Sequence, residues 1–284
     1  MPNESLQTTD IKILPWQQTR VYHITREVEI TTGSTIKIYT HSCDMEINYV
    51  ARKEENHIIS IFRKEYQINN KFPDLLATKI TGMLQRGLYP VECIVDHLGN
   101  WTGIANMQEV RKNWEQRVSR VRNEYQGEGV DSIIEAMENN LTEEHRFLKA
   151  LQKDLLHAGL FIPLPPAKNT GDENQNTEVT IPVTGIGTIL TRGRITCEEE
   201  EEETKMHFKG KPEISETSSD HIKEYFDKKG IEFTPERFSG TIQIYTEIKM
   251  QPFTSRKINI DLSCGNQWKH KEEIHYQLRG ISVI

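Results

Sequence analysis

At 284 residues, with 36% hydrophobic and 27% charged side chains, the chain has the length and apolar content to bury a sizeable core without metals or disulfides. Its net charge of −7, with no concentrated basic stretch in view, argues against nucleic acid as the main partner, because phosphate binding requires clustered cations. No window approaches the roughly 18 consecutive apolar residues that a membrane helix needs.

The opening residues, Met1-Pro2-Asn3-Glu4-Ser5, lack the basic and apolar segments of a signal peptide. As written the chain reads as cytoplasmic; a signal peptide removed from a longer precursor would make it periplasmic or exported. Three strands are predicted first, at 20–31, 35–50 and 57–68, with turns at Gly33-Ser34 and Lys53–Asn56, which reads as an antiparallel meander. Within the second, Ile36 and Ile38 fall on one face and Met45, Ile47 and Tyr49 on the other, as a bulge or bend near Thr40–Cys43 would produce. Phe72-Pro73-Asp74 then starts a short helix running to about Leu84, proline being suited to a first helical turn. Tyr89–Asp96 returns to strand, and Leu98-Gly99-Asn100 turns into a further strand at Trp101–Ile104.

Residues 105–160 change period. Met107, Val110, Trp114, Val118, Val121 and Tyr125 form one helical stripe, and Val130, Ile133, Ile134, Met137, Leu141, Leu148, Leu151 and Leu155 form a second. Gly127-Glu128-Gly129 separates them, so the spacing predicts an antiparallel hairpin of helices over 106–126 and 130–158. Gly159 and three prolines, Pro163, Pro165 and Pro166, end it, and 163–177 reads as a flexible loop. Strand patterning resumes at Val179–Val183 and Thr188–Cys197. It is clearest in the meander over 238–282, where Ile242, Ile244, Ile248 and Met250, then Ile258, Ile260, Leu262 and Cys264, then Ile274, Tyr276 and Leu278, each make one dry face. The helices need a sheet to cover and the meanders need a cover. The economical architecture is a single α+β domain over 1–284, a large curved antiparallel sheet with the helical hairpin on its concave side, and two domains meeting at the Pro-rich stretch are the alternative.

Few residues point to chemistry. Glu198–Glu203 is a run of six glutamates, but consecutive strand residues face opposite ways and cannot converge on a cation, so it reads as a solvated strand end or loop. Cys43, Cys93, Cys197 and Cys264 contain no Cys-x-x-Cys pair, which disfavours a metal or redox centre and favours buried free thiols. His41 and Cys43 read as same-face neighbours on a strand. Asp154 and His157, three apart beside the apolar stripe, read either as a polar pair facing a cavity or as a helix-end histidine placed well against the dipole. Trp101, Trp114, Tyr125, Phe147 and Phe161 cluster around the helices, as packed core or as a pocket lining. No nucleophile elbow, phosphate loop or dinucleotide fingerprint is present, so neither an enzyme nor a bound cofactor or metal is expected.

The layout of meander, long helical region and second meander, together with the segment Val91–Asn106 and its Trp101-x-Gly103-Ile104-x-Asn106 core, looks like that of certain Bacteroidota proteins. It also resembles the LolA/LppX-type lipoprotein-carrier fold. That resemblance implies an open half-barrel whose helices close an apolar cavity, and it carries over no functional residue. Two roles follow as expectations. One is a non-enzymatic protein holding a lipid or other apolar ligand between sheet and helices, with Met107, Trp114, Met137, Ile248 and Met250 lining the site. The other is an interaction or scaffold component that binds another protein through a sheet edge or the hairpin.

Overall fold

The N-terminal meander is built from β1 (Thr19–Thr32), β2 (Thr35–Lys53) and β3 (Asn56–Ile68), followed by β4 (Val91–Val95) and β5 (Trp101–Ile104). The C-terminal half contributes β6 (Thr177–Val183), β7 (Gly187–Glu200), β8 (Glu203–Glu213), β9 (Phe238–Ile248), β10 (Ser255–Cys264) and β11 (Trp268–Ser282). In this computed structural model, residues 15–69, 71, 75–97, 99–162, 177–200, 202–214, 216–249 and 253–282 are described. All the strands join one antiparallel sheet in the order β5-β4-β3-β2-β1-β11-β10-β9-β8-β7-β6. The two meanders therefore meet only at the β1–β11 pairing, and β5 and β6 are left as the edges.

The helices are α1 (Leu76–Gln85), α2 (Met107–Glu124), α3 (Glu128–Leu141), α4 (Glu144–Lys153), α5 (Leu155–Ala158) and α6 (Glu216–Asp227). α4 packs against both edge strands. Laid flat, eleven strands would put those edges about 48 Å apart, from ten spacings of ~4.8 Å, whereas a ten-residue helix is only about 15 Å long. The sheet must therefore curl into an open barrel that α4 clasps shut. The clasp also satisfies edge backbone: Glu144 accepts from the Ile104 N–H at 2.9 Å, and Gln152 donates to the Trp101 carbonyl at 3.2 Å. An exposed edge strand invites pairing with other chains, and here a helix covers it.

The expected continuous helix over 130–158 is three helices instead. Side chains compete for its backbone near the first break, where Thr142 Oγ1 donates to the Asn139 carbonyl and Glu143 becomes extended. At the second, Asp154 leaves the helical region and caps α5 by accepting the Leu156 N–H. α1, α2 and α3 pack on one another. The groups that bond to the interior of β10 and β11 come from α5 and the 3-10 turn Gly159–Phe161, not from the α2–α3 hairpin: Tyr276 donates to the Leu155 carbonyl at 2.5 Å, and Arg256 to the Gly159 carbonyl at 2.7 Å. At another part of the barrel α6 seats Phe226 against Phe233 and Trp268, with centroids 5.4 and 5.0 Å away.

The parity change in β2 has a different origin from the expected one on its β1 side. β2 pairs with β1 in unbroken register, so Ile36 and Ile38 simply face outward, 60% and 55% exposed. The register shift lies on the other flank, between Ser42 and Asp44 against β3. The glutamate run closes the β7–β8 hairpin, with Lys205 paired to Glu200 and Glu203, and Lys249 to Glu203. Cys43, Cys93 and Cys264 are buried free thiols and Cys197 is half-buried. The helix start at 72–74 and all of the 163–177 loop but Thr177 lie outside the described residues.

Two substitutions test the packing. Gly159 lies so close to Tyr276 that a Cβ would overlap its hydroxyl. Gly159→Ala should therefore cost about 1–3 kcal/mol in urea denaturation, as overpacking does. Trp114 is 2% exposed on α2, and Trp114→Ala should cost about 3–5 kcal/mol.

Candidate functional site

Residues that pair across strands face the same way: Arg26 of β1 pairs with Ile274 of β11 and Glu272 of β11 with Val28 of β1, so Arg26 and Glu272 are diagonal neighbours on the inner face at the seam between the meanders. Arg26 contacts Glu272 through Nε at 2.7 Å and Nη2 at 2.5 Å, and also donates to Thr184. His270 meets the other oxygen of Glu272 at 2.9 Å, and both of those side chains are fully buried. Burial alone would push the Glu272 carboxyl up; the His270 hydrogen bond and the Arg26 charge outweigh it and hold the group below its ordinary range.

From Arg26 the chain of contacts continues into the helices. Asp154 lies 3.8 Å from Arg26 and 2.8 Å from His157 Nδ1, and His157 Nε2 lies 2.6 Å from the Tyr89 hydroxyl. Burial opposes ionisation of Asp154, yet the His157 hydrogen bond, the charges of His157 and Arg26 and the Leu156 N–H together hold its carboxyl far below the usual range. An ionised Asp154 fixes the hydrogen on His157 Nδ1. Nε2 then accepts from Tyr89 when the ring is neutral and donates to the phenol oxygen when it is protonated. Asp154 and His157 do form a polar pair, but neither lines any of the hollows described below, and His157 also stands in the last turn of α5, as the helix-end reading had it. Tyr89 is a neutral phenol, its pKa raised by burial, with its hydroxyl committed to His157. The chain positions a side chain; it does not activate a nucleophile.

Tyr89 is also the floor of a surface cleft. β4 pairs only with residues 57–61 of β3, so from Phe62 onward β3 keeps β2 on one flank and has no strand pairing on the other among the described residues. α1, the 3-10 turn Arg86–Leu88 and α2 stand in that gap. Between them lie two adjoining hollows of about 590 and 300 Å³, which share Arg63, Lys64, Glu65, Arg86 and Tyr89. The larger adds Phe62, Asn113, Gln116, Arg117 and Arg120; the smaller adds Tyr66, Lys79, Gly82 and Met83. Gly87 makes this geometry feasible, since a Cβ there would come within 2.8 Å of Arg117 Cβ and push α2 away.

The cleft is cationic in an acidic protein. Arg63, Lys64, Lys79, Arg86, Arg117 and Arg120 face it against one carboxylate, Glu65. Arg63 is half-buried, bonded to Gln85 at 2.6 Å and lying over the Tyr66 and Tyr89 rings at 4.8 and 5.3 Å. Lys64 pairs with Glu46 at 2.6 Å. Among the described residues no acidic side chain pairs with Arg86, Arg117 or Arg120. The reading that the chain has no concentrated basic surface is thus corrected. Cations from 63–64, 79–86 and 117–120 are scattered in sequence, and the fold collects them. A third hollow, of about 360 Å³ on the outer face of β1 and β9–β11, is acidic, with Glu27, Glu29, Asp261 and Glu273 beside Lys271.

The residues expected to line an apolar site lie elsewhere. Met107 and Trp114 are buried on α2, Met137 is half-buried on α3, and Ile248 is half-buried at the end of β9 opposite Thr204. None of these four borders the three hollows, and Met250 lies outside the described residues. Among the described residues no group of His, Cys, Asp or Glu is arranged to hold a metal ion, and no helix is long and apolar enough to cross a membrane.

No protein-family model matches the chain, and no curated protein matches it. Among solved structures it is similar to one of lipid–protein interactions in lipovitellin, with 11% identity and a TM-score of 0.44 over 96% of this chain. The match spans 26% of the lipovitellin chain, so this protein covers about a quarter of that length. The likeness sets no function here.

The buried carboxylates make stability pH-dependent. A carboxyl whose folded pKa is depressed adds stability above its unfolded pKa of about 4, and that contribution fades as pH falls towards the folded value. Asp154→Asn should therefore lower stability by about 1–3 kcal/mol at neutral pH, less than the usual cost of unpairing a buried charge because a third of the side chain is exposed (32%). The gap to the parent protein should narrow below about pH 4. Denaturant titrations across pH would show it.

Proposed function

We propose that this is a non-enzymatic binding protein for an anionic amphiphile, a small molecule with a phosphate- or carboxylate-like head and an apolar tail, seated in the cleft between β3, α1 and α2. The observation that carries the reading is the gathering of six cations around two adjoining hollows of a protein with net charge −7. Cations held this close repel one another, and an anion between them relieves that repulsion. Arg86, Arg117 and Arg120 supply charge-assisted donors for the head. Phe62, Tyr66, Met83 and Tyr89 supply apolar surface for the tail, methionine adapting to variable shapes.

This keeps the lipid or apolar-ligand expectation and moves its site from the interior to the cleft. A cavity closed by helices, as in the LolA/LppX-type carriers that the layout resembles, is compatible with it. Dodecyl phosphate below its micelle concentration tests the reading by calorimetry, against inorganic phosphate and a neutral dodecyl glycoside. Dodecyl phosphate should bind more tightly than either, and added salt should weaken it. Arg117→Glu combined with Arg120→Glu should cost at least about 1.5–3 kcal/mol of that affinity, the value of one hydrogen bond to a charged group. Equal binding of the neutral glycoside, or an unaffected double variant, would remove the cleft as the site.

A further inference from the structure

Two of the exposed large hydrophobic residues stand at the mouth of this same cleft. Leu75 and Leu76 are 70% and 57% exposed at the start of α1. Leu76, Lys79, Met83 and Arg86 follow at helical spacing, so they share one face of α1 and its 3-10 extension, and Leu75 is the extended residue that caps the start of α1. Lys79, Met83 and Arg86 line the smaller hollow. The leucines therefore stand on the surface beside the opening, and neither of them lines either hollow. Two largely exposed leucines are costly to leave in water, and this pair belongs to the same helix as Lys79 and Arg86 of the cationic cleft, in a protein of net charge −7.

From this juxtaposition we infer that the mouth of the cleft docks on a lipid bilayer rich in anionic lipid, with Leu75 and Leu76 entering the headgroup and upper acyl region and Lys79, Arg86, Arg117 and Arg120 facing the negative surface. Anionic bilayers attract clustered cations and repel the acidic remainder, so charge alone sets which way the protein faces. Apolar side chains beside that cationic surface add affinity that salt does not screen. The inference rests on the proposed ligand class: a bilayer is where an anionic amphiphile resides, and this orientation places the cleft opening against it.

The test uses the full chain and vesicles of phosphatidylcholine alone or of phosphatidylcholine and phosphatidylglycerol in equal parts, with binding read by co-sedimentation. The parent protein should bind the anionic vesicles and leave the neutral ones. Leu75→Ser with Leu76→Ser, both at exposed positions that the fold does not use, should weaken that binding about tenfold or more while leaving dodecyl phosphate affinity unchanged. Arg117→Glu with Arg120→Glu should weaken both. Binding of dodecyl phosphate without binding of anionic vesicles would overturn the docking and spare the ligand reading. Equal vesicle binding by the leucine variant would also overturn it. So would tight binding of poly-glutamate with no vesicle partition, which would assign the surface to an acidic polypeptide.

Discussion

Ten residues, Glu144–Lys153, stand where a closed barrel would have its last strand pair. Strand pairing joins the two meanders at β1–β11, and nothing comparable joins β5 to β6. Without α4 the sheet would present two edges and an open concave surface lined by Ile, Phe and Tyr side chains. With it, Glu144 and Gln152 answer the backbone of β5, and α5 follows immediately to fill the interior behind β10 and β11. This explains why the helical region breaks. A straight helix over 130–158 would be about 43 Å long at ~1.5 Å per residue, too long and too rigid to lie across the gap and also turn inward.

The turn inward brings a charge with it. Asp154 caps α5 and reaches Arg26, which already holds Glu272 across the β1–β11 seam between the two meanders. Buried ion pairs contribute little net stability once desolvation is counted, but breaking one strands its partner. Their value at this seam is selectivity. A one-residue slip of β1 on β11 would turn Arg26 outward and leave Glu272 and His270 buried alone, so the charged cluster opposes slips that reverse the faces of β1. The same cluster fixes how deep α5 sits, and through His157 it fixes Tyr89.

Most of the sheet was legible because alternation of wet and dry residues is a local signal; Ile242 to Ile248 and Ile258 to Cys264 announce their faces without help. β8 and α6 were not assigned. The inward positions of β8 include Gly210, next to Pro212, and α6 buries little beyond Ile222 and Phe226, so neither has a full stripe. The helix breaks were hidden because the apolar stripe runs on through them, and the deciding competition is between side chains and backbone. Of the candidate site, only Asp154 and His157 were visible, at a spacing of three. Their partner Tyr89 is 68 residues away, and the cleft cations come from three segments that no local pattern connects.

The position of the cleft follows from a mismatch of strand lengths. β3 has thirteen residues and β4 five, so roughly half of β3 continues past β4 with no strand on that flank, while β2 pairs with it on the other. Such a ledge cannot stay bare, and α1 and α2 fill in beside it. Helices meet a strand ledge less closely than another strand would, because they keep side-chain-length separations while paired strands lie ~4.8 Å apart. A hollow is the geometric remainder. What makes it specific is the lining: Arg63 is held by Gln85 and by the Tyr66 and Tyr89 rings, and Tyr89 in turn by the chain through His157 to Asp154. A pocket whose floor is pinned to the buried charges of the barrel loses little conformational entropy when it fills. Its cationic lining is thus tied, through Arg63 and Tyr89, to the same network that holds the seam of the sheet.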